Sequence, residues 1–284
     1  MTLRVLQAIT SVRVGDGSSA GAMNLPVSRE RHTRWPFIPG SSLKGALRIR
    51  ATVMRHSHVD GIFGASRPDD DDDDTGSKRG ALLVGGATLL ALPVRSLHTT
   101  FALLTCPTAL ARFGRAAGLS LDLPSPSVEE AWVQGANQVR EQKEVAVGSR
   151  ARGTVVLEDL DLVGVTDDAV SAWAQAIGGY TGTEAPLSAL TVVHDDVFAH
   201  ACAAWTEHRT RNAIGADGVV DQGKLFVVES LPAETLLWAT LDWDERFASE
   251  IPRFDGLPAN GECFTLGGHQ SVGMGRITWY GGAS

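Results

Sequence analysis

A segment of serines and cations near the N-terminus has the residue types needed to hold an anion. Ser41 and Ser42 are predicted to cap a helix that runs from about Leu43 to Arg55. The free N–H groups and the positive dipole at such a helix start favour a negative charge. Lys44 and Arg48 add full positive charge on the next turn. The nearby glycines lack the Gly-x-x-x-x-Gly-Lys spacing, which argues against a nucleotide-hydrolysing phosphate loop.

A second segment, close to the C-terminus, is rich in glycine. It has four glycines in nine residues and is followed by Arg276. Glycine lets a backbone approach a partner closely because no Cβ atom stands in the way. The pattern is equally typical of a tight hairpin. Taken with the first segment, it predicts a grip on a phosphate backbone that needs no base-reading module. The four glycines are Gly267, Gly268, Gly273 and Gly275.

The overall charge conceals a strongly basic region. The formal net charge is −8, and the run Asp69–Asp74 alone contributes six of those negative charges. Between Arg29 and Arg55, by contrast, only Glu30 is acidic and seven residues are basic. The local field matters more than the total for attracting a polyanion. The seven basic residues are Arg29, Arg31, Arg34, Lys44, Arg48, Arg50 and Arg55.

Three of these cations are expected to share one face of the predicted helix. At ~100° per residue, Lys44, Arg48 and Arg55 fall close together, while Leu43, Leu47 and Met54 form an apolar stripe. A solvated helix face is the alternative interpretation. The absence of an acid among the three favours a binding surface, because ordinary surface helices interleave opposite charges.

The elements that must position these segments indicate an α+β fold with mostly antiparallel strands. A strand is predicted over Val5–Val14, and a hairpin with an Asp-Gly turn over Glu207–Lys224. We expect one domain spanning residues 1–284, with a disordered acidic loop over about 67–80 and an irregular insertion over about 119–150.

Composition limits the remaining possibilities. No apolar run is long enough for a membrane-spanning helix, so no membrane partner is expected. The three cysteines are too far apart to suggest a disulfide framework or a metal motif. A reducing, cytoplasmic location is the resulting expectation.

Several blocks of sequence together resemble a known family. They extend over nearly the whole chain, and the first and last are the most specific. The resemblance is to the RAMP superfamily of CRISPR effector subunits, and within it to the backbone subunit of the type III-B (Cmr) complex. The matching blocks are Leu25–Thr33, Pro36–Arg48, Ile62–Gly64, Leu92–Leu97, Thr105–Pro107, Leu225–Pro232 and Leu266–Arg276.

This resemblance implies a fold and a set of partners. The fold would be a ferredoxin-like (RNA-recognition-motif-like) palm with inserted loops and a β-hairpin thumb. Copies of the chain would stack along a CRISPR guide RNA, beside other type III effector subunits, and would contact target RNA. The thumb would be the hairpin at about 207–224, with Arg209 and Arg211 placed to meet phosphates.

The residues predicted to contact RNA come from the two segments described first. Binding through them requires no cofactor. They are Arg29, Arg31, Ser41, Ser42, Lys44, Arg48, Arg55, Gly267, Gly268, Gly273, Gly275 and Arg276.

Cleavage of target RNA is a separate question, because the family's catalytic aspartate is replaced here by Asn24. A neutral amide cannot act as a general base and binds Mg²⁺ less well than a carboxylate. Arg13 stands where the family has a histidine. Asp16 and Glu229 are weak substitutes, and a turn residue and a strand-end charge are the simpler interpretations of them. If cleavage is retained, Mg²⁺ is the expected cofactor.

A third hypothesis is an endoribonuclease that processes guide RNA. It requires a histidine for acid–base chemistry near the RNA, and the matched blocks offer His32 and His269. The sequence thus favours a binding subunit and leaves both nuclease alternatives open.

Overall fold

The computed structural model describes residues 1–15, 26–65, 79–134, 140–141, 152–182, 186–214, 220–247 and 251–281. Several predicted features lie outside these ranges. They are Asp16, Asn24, nearly all of the acidic loop, much of the insertion at 119–150 and the tip of the hairpin.

Strands and helices are mixed along the chain, which confirms the α+β class. The helices are α1 (Gly40–Val53), α2 (Val59–Phe63), α3 (Pro107–Ala117), α4 (Asp168–Thr181) and α5 (Asp195–Ala204). The strands of the first half are β1 (Thr2–Ala8), β2 (Phe37–Ile38), β3 (Leu82–Val84), β4 (Ala87–Arg95), β5 (Phe101–Thr105), β6 (Glu130–Val133) and β7 (Arg140–Glu141). Those of the second half are β8 (Arg152–Leu157), β9 (Leu160–Thr166), β10 (Leu190–Val193), β11 (Glu207–Ile214), β12 (Val220–Ser230), β13 (Leu236–Trp243), β14 (Glu262–Thr265) and β15 (Arg276–Gly281).

One large sheet organises the described part of the molecule. Its strand order is β14-β15-β1-β13-β4-β5-β10-β6-β9-β8-β7, with β2 joined to β4 and β3 joined to β13. Most neighbouring strands are antiparallel, whereas β5 with β10 and β6 with β9 are parallel. The hairpin β11-β12 forms a separate two-stranded sheet.

Both faces of the large sheet are covered. In β1, Val5 belongs to one buried cluster and its neighbour Leu6 to the other, as expected when successive side chains point to opposite faces. Helix α1 packs on the Leu6 side, and α3 and α4 pack on the Val5 side. This explains why the adjacent residues Val5 and Leu6 are both apolar and both fully buried.

The predicted strand over Val5–Val14 is shorter than expected. Regular pairing ends at Ala8, and Val12 then makes an isolated bridge to Leu231. The chain bends between them, where Ile9 and Thr10 both donate to the carbonyl of Arg276. This bend brings residues 11–14 beside the glycine-rich segment.

Helix α1 begins earlier than predicted, which corrects the roles of its serines. Pro39 occupies the cap position, no side chain caps the helix, and Ser41 and Ser42 lie inside the first turn. Gly40 starts the helix against β3, where a Cβ atom would lie 2.6 Å from the carbonyl oxygen of Val84. Only glycine fits this approach, so the helix can start at residue 40.

The prediction of the apolar stripe of α1 is also wrong at one end. Leu43 and Leu47 are fully buried as predicted, but Ala51 takes the third buried position. Met54 lies beyond the helix end and its side chain is more than half exposed. Among the described residues, no helix is long and apolar enough to cross a bilayer.

Candidate nucleic-acid interface

A cleft of about 520 Å³ opens at the start of α1. Gly40, Ser41 and Lys44 form one wall, and Gly85, Thr240 and the acidic Asp242 belong to the other. The N–H of Ser42 already donates to Pro39, so helix geometry leaves the preceding N–H groups for an acceptor outside the helix. The first turn contains no acidic residue. The helix start can therefore receive an anion from this cleft.

The Lys44 ammonium lies among other positive charges. Burial lowers its pKa, and the nearby charges of Arg79 and Arg48 lower it further. Arg79 stacks on the ring of Phe247 at 5.1 Å and is 3.7 Å from the carboxylate of Asp244. A bound phosphate would stabilise Lys44 in its charged form. Sequence reasoning missed Arg79, because it follows the acidic run and was assigned to that loop.

Arg48 is less available than its position on the helix suggested. Its guanidinium bonds to the Asp60 carboxylate and to the Gly64 carbonyl, and so ties α1 to α2. The expectation of a helix face without acids is therefore wrong, because Asp60 comes from the next element. Arg55 lies past the helix end, exposed, with a left-handed φ of 55°. Only Lys44 of these three faces the cleft.

Arg29 and Glu229 form an ion pair inside the protein. Their side chains are 14% and 4% exposed. Arg29 also donates to the carbonyls of Arg34 and Cys202, each at 2.9 Å. Glu229 accepts from the Val27 N–H at 2.9 Å. The structure therefore gives both residues internal partners, which argues against RNA contact by Arg29 and metal binding by Glu229.

Arg31 and His32 lie in an exposed turn next to this pair. The adjacent Glu30 turns inward and accepts two hydrogen bonds from Arg112, at 2.9 and 2.6 Å. Burial opposes the charge on Glu30, but the hydrogen bonds from Arg112 and Thr33 leave its pKa lowered. The turn itself is thus fixed, with Arg31 directed to the surface.

Two of the glycines near the C-terminus allow close packing within the protein itself, whereas the sequence predicted that they allow the approach of a partner. Gly267 has φ +90°, and a Cβ atom there would lie 2.3 Å from the carbonyl oxygen of Arg13. Gly275 has φ +82° and would clash equally with the carbonyl of Leu266. Gly273 has φ +86° but open space around it. Close approach by a partner is therefore a property of Gly273, while Gly267 and Gly275 fit the backbone to itself.

The two predicted segments face each other across a second cleft of about 610 Å³. Ser42 and Gly45 line it from α1, and Gly267 and Gln270 line it from the glycine-rich segment. Arg276, at the start of β15, is exposed. The sequence thus identified correctly which two segments lie together.

The first residues of β11, at the base of the hairpin, lie beside the same glycine-rich segment. Arg209 pairs with Glu207 at 2.5 Å and reaches the Ser11 hydroxyl at 3.2 Å. Arg211 approaches the Met274 sulfur at 3.7 Å. The paired strands extend to Ser230, so the hairpin is longer than the predicted range of 207–224.

The described residues do not form a metal site. No group of three or more His, Cys, Asp and Glu side chains among them is arranged to hold an ion. The segment carrying Asp16 and Asn24 is outside the described ranges. Its two flanks are joined by the Ser28 N–H donating to the Val14 carbonyl at 2.8 Å. The donors that are described do not fit Mg²⁺.

Comparison with known proteins gives consistent matches across the chain. The sequence profile of the RAMP superfamily matches residues 5–278. A Pyrococcus furiosus protein named CRISPR system Cmr endoribonuclease Cmr4 is 29% identical over 292 residues, covering 96% of this chain and 92% of that protein.

Two solved structures share the fold. The crystal structure of oligomeric Cmr4 from Pyrococcus furiosus has a TM-score of 0.68 at 23% identity and covers 99% of both chains. A chain of the type III-B Cmr-beta complex bound to cognate target RNA also has a TM-score of 0.68, at 19% identity, covering 99% of this chain and 96% of that one.

Proposed function

The chain belongs to the RAMP superfamily, and we propose that it is a guide-RNA-binding backbone subunit of a type III CRISPR ribonucleoprotein. Copies of it would assemble along the guide in the cytoplasm, together with other effector subunits, and would contact target RNA in antiviral defence. The 29% identity to Cmr4 and the shared fold with oligomeric Cmr4 and with a target-bound Cmr complex support this proposal.

The observation that carries the proposal is the cleft at the start of α1, which contains the Lys44 ammonium and one acidic side chain, Asp242. Lys44 lies there beside Arg79 and next to the uncapped first turn of the helix. Phosphate oxygens accept hydrogen bonds both from backbone N–H groups and from ammonium groups. A grip of this kind reads no bases, which suits a subunit repeated along a guide of varied sequence.

The sheet topology supports a ferredoxin-like palm as the framework of this grip. The strands β15-β1-β13-β4 are neighbours in that order and pair antiparallel. Helix α1 connects β1 to β4, with β13 between them. In its described part, the connection from β13 to β15 contains β14 and short 3-10 turns in place of a second α-helix. The hairpin β11-β12 would be the thumb.

Binding to a synthetic guide RNA at varied salt tests this proposal. The wild-type chain should bind in several copies, and Lys44→Ala should weaken binding and lower the salt slope by about 1. Arg95→Ala is the matched control, because Arg95 is an exposed cation paired with Glu158 at the far end of β4. A wild-type chain that does not bind guide RNA would overturn the proposal.

A second candidate function is cleavage of target RNA, which the name of the Cmr4 relative favours. Against it, Asn24 replaces the carboxylate implied by the family resemblance, and Glu229 is held in an internal ion pair. Mg²⁺ would be needed only for this activity. Labelled target RNA incubated with the assembled complex and Mg²⁺ tests it. Regularly spaced fragments that disappear in Asp16→Asn would establish cleavage, and intact target would exclude it.

A further inference from the structure

An exposed aromatic ring lies just after β13. Phe247 ends a short 3-10 turn, Glu245–Phe247, in which no residue is buried, and it is 42% exposed. Two guanidinium groups lie over its ring. The guanidinium carbon of Arg79 is 5.1 Å from the ring centroid, and that of Arg246 is 5.9 Å away, so both are within the range of a cation–π contact. The three side chains therefore present planar groups to solvent at one place.

Asp244 holds the two guanidinium groups in place. Arg246 donates to its carboxylate from Nε at 2.9 Å and from Nη2 at 2.8 Å, and the Arg79 guanidinium lies 3.7 Å away. The hydrogen bonds from Arg246 keep the pKa of Asp244 at about 2, so the carboxylate stays charged. The Asp244 N–H also donates to the Ala81 carbonyl at 2.8 Å, which joins the turn to the segment before β3. Side chains that are already fixed in this way lose little freedom when a ligand binds.

The charges around the ring favour an anionic partner that has planar groups. The two guanidinium groups share the single carboxylate of Asp244, which leaves one positive charge in addition to the ammonium of Lys44. The two neighbouring acids are already paired, Glu245 with Arg253 at 3.3 Å and Asp242 with the N-terminal ammonium at 3.1 Å. A single-stranded nucleic acid combines negative charge with planar bases, and its bases stack on aromatic rings and on guanidinium groups.

We propose that Arg79, Arg246 and Phe247 form a stacking surface for one nucleobase of the RNA strand whose phosphate lies in the cleft at Lys44. The proposal rests on the proposed function, which supplies the strand. Arg79 connects the two contacts, because it lies over the ring and its charge also acts on Lys44. Every base has a π-face, so stacking of this kind depends little on sequence. It is therefore compatible with guides of varied sequence.

The first experiment measures the contribution of the ring by fluorescence anisotropy with a labelled guide RNA at several salt concentrations. Phe247→Leu removes the π-face and keeps an apolar side chain, so binding should weaken about tenfold. The salt slope should not change, because the ring carries no charge. The control is Leu97→Ala, which removes an apolar side chain that is 65% exposed after β4, and it should bind as the wild type does.

The second experiment repeats the titrations at low salt with an abasic strand of the same length, which keeps every phosphate and lacks every base. Phe247→Leu should now bind as tightly as the wild type, since no base is present to stack. Lys44→Ala should still weaken binding, because its contact is with phosphate. Thermal unfolding checks that Phe247→Leu is folded, and its midpoint should match that of the wild type because the ring is exposed.

Three outcomes would overturn the proposal. If Lys44→Ala weakens binding to guide RNA while Phe247→Leu matches Leu97→Ala, the stacking surface is wrong and the proposed function stands. The same conclusion follows if Phe247→Leu loses equal affinity for both strands, or if it weakens only the association of copies measured without RNA, since the ring would then contact protein. If the wild-type chain binds neither strand, the proposed function and this surface fail together.

Discussion

The value of a cation for binding depends on whether the protein already supplies its partner. Of the seven basic residues between Arg29 and Arg55, three are engaged by Glu229, Asp60 and Glu262. Two of these pairs join residues 200 and 212 positions apart, and the third joins α1 to α2, so a charge count between Arg29 and Arg55 could not reveal them. Lys44, by contrast, forms no ion pair with a described carboxylate within 4 Å. The local basic charge that suggested RNA binding is thus concentrated in fewer side chains than the sequence implied.

The ion pair of Arg29 and Glu229 leads to the first prediction. Glu229→Gln should destabilise the fold by about 3 kcal/mol, because it leaves the Arg29 charge buried without a counter-charge. Urea denaturation measures this loss. The control is Glu158→Gln, whose partner Arg95 is largely exposed, and it should cost less than about 1 kcal/mol.

An active-site role for Glu229 predicts a different result. In that case Glu229→Gln would retain the wild-type unfolding midpoint and lose only a metal-dependent activity. Equal stability of the two variants would contradict the structural role.

The second prediction concerns the pH dependence at His269. Burial lowers the pKa of this imidazole, and the charges of Arg211 and Arg13 lower it further. The folded protein therefore holds fewer protons at this site than the unfolded chain does. Its contribution to stability is full above the pKa of the unfolded histidine and is lost as the pH falls from that value through the lower pKa of the folded protein.

RNA binding should have the opposite dependence on pH. If RNA contacts the glycine-rich segment as predicted, its phosphates favour the protonated imidazole of His269, so affinity should rise as the pH falls. NMR titration of the histidine with and without RNA measures both effects, and His269→Asn should remove them. A His269 pKa in the free protein at or above that of the unfolded chain would contradict the placement of His269 beside Arg13 and Arg211.

At the scale of elements, the glycine-rich segment shows how positive φ angles serve two purposes. Gly267 and Gly275 bring the loop against backbone carbonyls, and Gly273 turns the chain in open space. The Gly275 N–H donates to the Ser11 carbonyl at 2.9 Å, which fixes the loop to the segment after β1. Packing of the loop therefore also positions Arg13 and His269.

The third prediction compares an alanine substitution at a packed glycine with one at an open glycine. Gly267→Ala should destabilise the protein by more than about 2 kcal/mol, since strain at positive φ adds to a clash with the Arg13 carbonyl. Gly273→Ala is the matched control, with the same strain and no clash, and should cost about 1 kcal/mol. Thermal unfolding compares the two, and equal losses would refute the packing role.

The elements also show what could be predicted from the sequence. Local patterns predicted that α1 is a helix and that β11-β12 is a hairpin. They also predicted that the segment with Ser41 and Ser42 lies near the glycine-rich segment. The predicted start of α1 was too late, because the helix begins at Gly40, whose close contact is with Val84 of β3, 44 residues away. The approach of Arg13 and Arg211 to His269 was not predicted, because the three residues come from separate segments that only the fold brings together. Long-range contacts of this kind leave no local signal.

At the scale of the whole molecule, the basic cleft and the acidic run are neighbours along the chain. Arg48 bonds the carbonyl of Gly64, and Arg79 lies near Lys44. These two contacts stand just before and just after the run Asp69–Asp74. The described residues on the two sides of the run, Gly64 and Arg79, thus lie beside Arg48 and Lys44, although the net charge alone gives no indication of this.

The fourth prediction follows from where these flanking residues lie. Replacing all six aspartates with asparagine should increase affinity for guide RNA roughly tenfold at about 10 mM salt, where the Debye length is about 30 Å, and much less at about 0.15 M, where it is about 8 Å. Anisotropy titrations at the two salt concentrations measure the change.

A matched control changes the total charge equally at other places. If only net charge mattered, the control would raise affinity as much as the six asparagines do. If the place of the run in the chain matters, the control effect should be clearly smaller, because screening weakens charges beyond a Debye length. An equal effect at both salt concentrations would show that the acidic run acts through total charge. The control neutralises six exposed acids: Asp122, Glu129, Asp159, Asp161, Asp168 and Asp196.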